Sequence, residues 1–211
     1  MTHTSHREGD VESLKNDFVF VVTGAKGFNK KGCAPRVRKI MEILAEHGPV
    51  NLGDMETGNT ARGLTVEEIT RNIMDSAISQ AVFTSKEKAI EALKALKEAD
   101  LGISITISGL NEEVKDIVQK ASVGDQPHTV NLSLGFMGKT EKAPPDDIRQ
   151  ITTMCGHAMV AAGITEKLIE AVKRGWTTPE EAGLKLARQC TCGAFNPQRA
   201  ASLIRMFAGI G

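Results

Sequence analysis

The sequence predicts an α/β fold, in which a small, mainly parallel sheet of three to four strands with flanking helices is followed by a C-terminal helical lobe. Up to residue 140, apolar runs typical of strands alternate with helical patterns. After two prolines near residue 145, only helical patterns remain. We therefore expect a flexible tail over residues 1–16, an α/β domain over 17–140 and a helical lobe over 146–211 that packs on it.

Four segments carry the strand signal. Phe18–Val22 is a continuous apolar run, which predicts a strand buried on both faces. Ala81–Thr84 predicts a short strand, and residues 101–107 and 130–136 alternate between apolar and polar side chains. Because helices lie between successive strands, parallel pairing through right-handed crossovers is favoured.

Capping signals mark where the helices begin. Thr65 and Thr178 each open a capping box, and Asn196 precedes a proline at a first helical position. The stretch 50–64 contains three glycines and no periodicity. It predicts a long loop, and loops of this length are often functional.

Composition and charge exclude several classes of protein. The chain has 26 Lys plus Arg and 26 Asp plus Glu, so it lacks the cationic excess that duplex nucleic acids require. No apolar run approaches the roughly 20 residues of a membrane span. Residues 1–16 lack the apolar core of a signal peptide. We expect a cytoplasmic protein without nucleic-acid or membrane partners, and self-association into a homo-oligomer stays open.

The four cysteines lie where helices begin or are interrupted. Cys190 and Cys192 fall between two predicted helices, Cys155 lies at a glycine-interrupted joint, and Cys33 just precedes a helix. Four cysteines in a cytoplasmic chain of this length do not predict a disulfide framework. The N–H groups and the positive dipole end of a helix start stabilise thiolates and anionic clusters.

These positions predict a metal centre. Two vicinal thiolates in Cys-x-Cys contact one metal more easily than they close a strained disulfide. With Cys155 they make three ligands, and Cys33 or His157 is a candidate fourth. We expect a [4Fe-4S] cluster, because structural zinc sites usually use Cys-x₂₋₄-Cys knuckles, while cluster ligands tolerate other spacings. Zinc is the alternative.

The same pattern suggests a reaction. Three cysteine ligands would leave one iron of a cubane open as a Lewis acid, and His157 would be the general acid or base. This predicts a lyase, dehydratase or desulfurase acting on a small anionic metabolite. The expected substrate-binding residues are Lys26 and Arg36 at the first strand–helix turn, and Asp54 and Arg62 in the glycine-containing loop.

Two other functions stay open. The first is a non-catalytic iron–sulfur or zinc carrier or assembly protein, in which all four cysteines are ligands. The second is a metal-free sulfur-transfer enzyme with Cys190 or Cys192 as a thiolate nucleophile.

Overall fold

The structure is a computed structural model that describes residues 7–124, 127, 129–133, 135 and 137–210. The strands found in these residues are β1 (Phe18–Val22), β2 (Asn51–Asp54), β3 (Gly58–Asn59), β4 (Ser79–Phe83) and β5 (Ile105–Ser108). The α-helices are α1 (Val11–Leu14), α2 (Ala34–Glu46), α3 (Val66–Arg71), α4 (Lys86–Ala99), α5 (Asn111–Lys120), α6 (Asp146–Thr152), α7 (Ala162–Lys173), α8 (Pro179–Ala187) and α9 (Pro197–Phe207). Short 3₁₀ helices cover Thr60–Arg62 and Thr140–Lys142.

The sheet has five strands in the order β3-β2-β4-β1-β5, and every pairing in it is antiparallel. The prediction of a mainly parallel sheet of three to four strands is therefore wrong. β4 lies between β1 and β2 and runs opposite to both. β1 and β2, which α2 connects, therefore run in the same direction. They do not pair with each other, because β4 lies between them.

β1 lies at its predicted bounds, but two other parts of the chain differ from the strand prediction. β2 and β3 form a hairpin inside the stretch 50–64, where buried polar residues and glycines hide the strand pattern. In the expected strand over 130–136, Val130 and Leu132 are exposed and belong to no strand, while positions 134 and 136 lie outside the described residues. Alternating apolar and polar residues do not form a strand when the apolar side chains have no surface to pack against.

The sheet is covered on both faces. Phe18, Phe20 and Val22 face a core formed with α2, α3, α4 and α5. Val19 and Val21 face the opposite core, which α6, α7, α8 and α9 complete and which contains Cys155, Cys190 and Cys192. Burial of side chains on both faces explains why β1 is a continuous apolar run.

The N-terminal segment is docked in its described part. Arg7 forms an ion pair with Asp17, just before β1, and Glu8 forms one with Arg149 at 2.8 Å. Helix α1 follows. Charged side chains in the described part of the predicted tail are therefore paired with residues outside it.

Within the described residues, no helix combines the length and apolar character needed to cross a membrane.

The loop between α8 and α9 lies with its backbone directly against β2. Gly193 has a φ of +83°, and a Cβ built there would lie 2.7 Å from the Gly53 nitrogen. A Cβ on Gly53 would lie 2.5 Å from the Asn59 Cβ and 2.9 Å from the Cys192 carbonyl oxygen. Two glycines therefore allow the cysteine-bearing loop to reach the sheet.

We expect Gly53→Ala to lower the free energy of unfolding by about 1–3 kcal/mol, because the added methyl group has no space between the loop and the hairpin. Urea unfolding measures the change. Gly163→Ala, in α7, is the matched control, since a Cβ there meets nothing within 4 Å. Its stability should be unchanged or higher. Equal stability of Gly53→Ala and the wild type would contradict this close contact.

Candidate metal centre

Two loops carry three of the cysteines. Cys190 and Cys192 lie between α8 and α9, as the sequence predicts, and the Asn196 side chain caps α9 by accepting a hydrogen bond from the Arg199 amide at 3.0 Å. Cys155 lies after α6, in the connection to α7. The Ala161 amide, at the end of that connection, donates to the Gln189 side chain at 3.2 Å. The two cysteine loops are thus joined to each other.

The three sulfur atoms converge in a space closed to solvent. The Cys190 and Cys192 sulfurs lie 3.7 Å apart, and Cys155 shares a thiol hydrogen bond with Cys190. His157 is half-buried, and its Nδ1 lies 3.8 Å from the Cys192 sulfur. The cysteines are 2%, 0% and 1% exposed at positions 155, 190 and 192. The structure therefore brings together four of the predicted site residues.

Nearby backbone amides favour the ionised form of all three thiols. Those of His157 and Met159 act to lower the pKa of Cys155, and that of Phe195 acts to lower the pKa of Cys190. The amides of Ala194 and of Cys192 itself act to lower the pKa of Cys192. Hydrogen bonds of this kind favour the charged thiolate over the neutral thiol.

The three thiols nevertheless titrate differently. A hydrogen bond from Cys190 and one from the Ala194 amide hold the pKa of Cys192 below its ordinary value despite burial. The hydrogen bond with Cys190, together with burial, raises the pKa of Cys155 far above its ordinary range. For Cys190, the bond with Cys155 lowers the pKa, but Cys192 and burial outweigh it and raise the pKa to about 11. Cys192 is therefore the thiol of the three that ionises most readily.

Polar side chains of the β2–β3 hairpin hold the carbonyl groups of the cysteine loop. The Asn59 amide donates to the carbonyl oxygens of Cys190 and Thr191, the latter at 3.0 Å. The Asn51 amide donates to the Phe195 carbonyl oxygen at 3.0 Å. These bonds leave the loop amides free to point inward at the sulfurs.

A buried ionic cluster holds the far end of the same loop. Asp17 is 1% exposed and accepts from Arg7, Arg199 and Asn196, the last at 2.9 Å. Arg7 also donates to the Ala194 carbonyl oxygen. Burial lowers the pKa of Arg199 to about 10, although Asp17 opposes this shift. The start of β1, the N-terminal segment and the cysteine loop therefore share one electrostatic anchor.

The structure does not bring Cys33 to the other three cysteines. Cys33 is buried in the core on the opposite face of the sheet, and its thiol donates to the Asp75 carbonyl oxygen at 3.5 Å. The fourth ligand predicted from Cys33 is therefore not available to this cluster, since β1 and its neighbours lie between the two cores.

The four predicted substrate-binding residues also lie in different parts of the structure. Lys26 is exposed in the turn after β1, and Arg36 donates to the Asn29 carbonyl oxygen at 3.1 Å. At that turn, the Asp75 carboxylate already accepts the Gly32 and Ala34 amides, and these bonds lower its pKa. An acidic group thus occupies the helix start where the sequence predicts an anionic substrate.

The other two predicted residues have different roles. Asp54 is buried and accepts the Ser79 hydroxyl at 2.9 Å, so it stabilises the end of the hairpin strand. Arg62 is exposed and lies on the cysteine loop, where it donates to the Arg188 carbonyl oxygen at 2.8 Å and to the Thr191 hydroxyl at 3.1 Å. Among the predicted substrate-binding residues, Arg62 is therefore the positively charged side chain that lies beside the cysteine loop.

Sequence reasoning missed the residues that support the site: Arg7, Asp17, Asn51, Asn59 and Arg199. It also missed Gln80, which is buried without a hydrogen-bond partner and had a detectable signal, because it directly precedes the apolar part of β4. A long polar side chain in a strand that is buried on both faces indicates either a hydrogen-bond partner or a ligand.

Across the residues that the structure describes, no group of three or more His, Cys, Asp or Glu side chains is placed so that it could hold a metal ion. The Cys190 and Cys192 thiols are instead within hydrogen-bonding distance of each other. Comparisons of the chain with protein-family models, with curated proteins and with solved structures found no match.

The raised pKa of Cys190 predicts a loss of stability at alkaline pH. The folded protein holds this proton up to a pKa of about 11, whereas the ordinary value is 9.0. The contribution of the Cys190 thiol to the free energy of unfolding is therefore fully present below pH 9. It is lost as the pH rises through 11. We expect the free energy of unfolding of the reduced, chelator-treated protein to fall by about 1–3 kcal/mol over that range.

Urea unfolding on either side of this range measures the loss. Cys190→Ala removes the titrating thiol and should make the loss smaller. A wild-type stability that stays level up to pH 11 would show that this thiol is not held in its protonated form.

Proposed function

We propose that the protein is an iron–sulfur protein in which Cys155, Cys190 and Cys192 hold a cluster between the sheet and the C-terminal helices. The observation that carries this proposal is the burial of three thiols from two loops in one core, where backbone amides favour their ionised form. Burial and hydrogen bonds to sulfur are the means by which proteins hold and tune such clusters.

The electrostatics of the site supports a bound cation. Two of the three thiols have raised pKa values because neighbouring sulfurs and burial disfavour further negative charge. A metal centre removes that penalty, and thiolate binding to it releases the protons. The proposal requires the thiols to reorient when they ionise, since in the protonated form they contact one another.

The chemistry we propose is of the lyase type, on a small anionic metabolite. A cluster with three cysteine ligands supplies an open iron that acts as a Lewis acid. His157 is the half-buried titratable group beside Cys192, which suits a general acid or base at the edge of the site. Arg62, exposed on the cysteine loop, supplies the positive charge for an anion.

The sulfur spacing favours a single zinc ion as the second candidate. A tetrahedral ion with metal–sulfur bonds of about 2.3 Å spaces its sulfur ligands about 3.8 Å apart. The Cys190 and Cys192 sulfurs lie 3.7 Å apart, and His157 Nδ1 lies 3.8 Å from Cys192. His157 would then be the fourth ligand, and the site would be structural or would belong to a metal carrier.

A metal-free thiolate enzyme has less support. Cys192 has a lowered pKa, as a nucleophile requires, but its side chain is 1% exposed. Reactive cysteines normally lie in partly exposed positions.

The test is metal and sulfide analysis of protein that is expressed and purified without oxygen. We expect iron and acid-labile sulfide in about equal amounts, with visible thiolate–iron absorption. Zinc at one ion per chain, without sulfide, would support the second candidate. Colourless protein that takes up neither metal after anaerobic reconstitution would reject both.

Cysteine variants identify the ligands. Cys155→Ser and Cys192→Ser should each weaken metal binding more than tenfold, because even residues that only orient metal ligands contribute about that much. Cys33→Ser is the matched control: it changes a buried cysteine on the other face of the sheet and keeps a donor for the Asp75 carbonyl. Its metal content should equal that of the wild type. Equal losses of bound metal in all three variants would indicate a folding defect and not the loss of a metal ligand.

A further inference from the structure

Phe28 projects into solvent from the turn of residues 25–32, the Phe28 turn, which joins β1 to α2. At 92%, it is the most exposed of the large apolar side chains that the structure describes. The turn itself is firmly held. The Ala25 carbonyl oxygen accepts the amides of residues 28–30, and the Asn29 side chain accepts the Ala25 amide at 2.7 Å and donates to the Gly102 carbonyl oxygen at 2.6 Å. A rigid turn therefore presents an aromatic side chain to solvent.

The same turn is positively charged. Lys26 and Lys31 are exposed and Lys30 is half-buried. Among the described residues, no carboxylate forms an ion pair with any of these three lysines. Asp75, which contacts the end of the turn, accepts two backbone amides instead. Aromatic side chains are common anchors of protein interfaces, and charged groups around them select a partner of opposite charge. The Phe28 turn therefore fits a pocket that is apolar inside and acidic at its edge.

The chain itself carries such a pocket, in the groove between α6 and α7. Three apolar and three acidic side chains line it: Pro145, Ile148, Ile169, Asp147, Glu166 and Glu170. Glu166 and Glu170 are exposed, and Glu166 forms no ion pair with any described residue. The volume of the groove is about 210 Å³. An apolar cavity of about 150 Å³ holds benzene, so the groove has room for a phenylalanine ring.

Phe28 cannot enter the groove of its own chain. The Phe28 turn leads into α2, which covers one face of the sheet, whereas α6 and α7 cover the opposite face. The hydrogen bonds within the turn also hold the aromatic ring in solvent. The two complementary surfaces therefore meet only when two copies of the chain come together.

We propose that the Phe28 turn of one copy binds in the α6–α7 groove of a second copy, with the lysines of the turn facing the acidic side chains of the groove. Because the two surfaces differ, the contact is heterologous and joins copies head to tail. The inference goes beyond the proposed function and is independent of it, since neither surface includes a residue of the cysteine loops.

Sedimentation equilibrium of the full-length protein measures the self-association. Phe28→Gln removes the aromatic anchor without disturbing the core, because the side chain is exposed. Met206→Gln is the matched control, since Met206 is another exposed apolar residue, on α9, and lines neither surface. We expect the wild type to associate, Phe28→Gln to associate at least about tenfold more weakly, and Met206→Gln to equal the wild type.

Charge reversal tests the groove. Glu166→Lys combined with Glu170→Lys should weaken association to a similar extent, because the new lysines repel those of the Phe28 turn. Glu91→Lys combined with Glu98→Lys, two exposed positions on α4, changes the net charge equally and should leave association unchanged. High salt should weaken the association of the wild type.

Mixing the variants tests the head-to-tail contact. Phe28→Gln retains an intact groove, and the variant with both groove substitutions retains an intact Phe28 turn. Each should be largely monomeric alone, while the mixture should form a dimer with one copy of each variant.

Several outcomes would overturn the inference. They are a wild type that stays monomeric at millimolar concentration, unchanged association of Phe28→Gln, a mixture that forms no dimer, and equal weakening in either control. A monomeric wild type that binds phosphatidylserine vesicles through Phe28 would assign the turn to an anionic lipid surface and would reject the second copy as its partner. None of these results bears on the metal content of the protein, which tests the proposed function separately.

Discussion

The backbone contact between Gly193 and β2 is the constraint on which the cysteine site depends. The loop between α8 and α9 reaches the sheet only because Gly53 and Gly193 lack side chains, and a Cβ at either would lie within 3 Å of the opposite backbone. Asn51 and Asn59 then bind the carbonyl oxygens that this approach brings close. With its carbonyls held outward, the loop can direct its amides at sulfur.

Electrostatics then determines what the site can hold. Three buried thiols in one core disfavour several negative charges, and the pKa values of Cys155 and Cys190 are raised accordingly. Nearby backbone amides act in the opposite direction and favour the ionised forms. Under the proposed function, a bound cation would reconcile these two tendencies.

The errors in the predicted fold have a common physical origin. Periodicity reports which faces of a segment are buried, but it carries no information on which strand lies beside it. Thus β1 was predicted from its apolar run, whereas its antiparallel pairing with β4 and β5 was not. β2 was missed because its buried side chains include Asn51 and Asp54, which are stabilised by partners distant in the sequence or across the sheet.

By itself, the sequence determined the local features of this protein: the capping boxes at Thr65 and Thr178, the helices they open, and the position of Cys190 and Cys192 in a loop between helices. Such features depend on neighbouring residues, so they are visible in the chain. Only the tertiary structure decided that Cys155 joins this pair and that Cys33 does not, because the side of a sheet on which a loop lies depends on long-range packing. That Gln80 faces the core containing the cysteines likewise follows from strand register, which only the folded sheet defines.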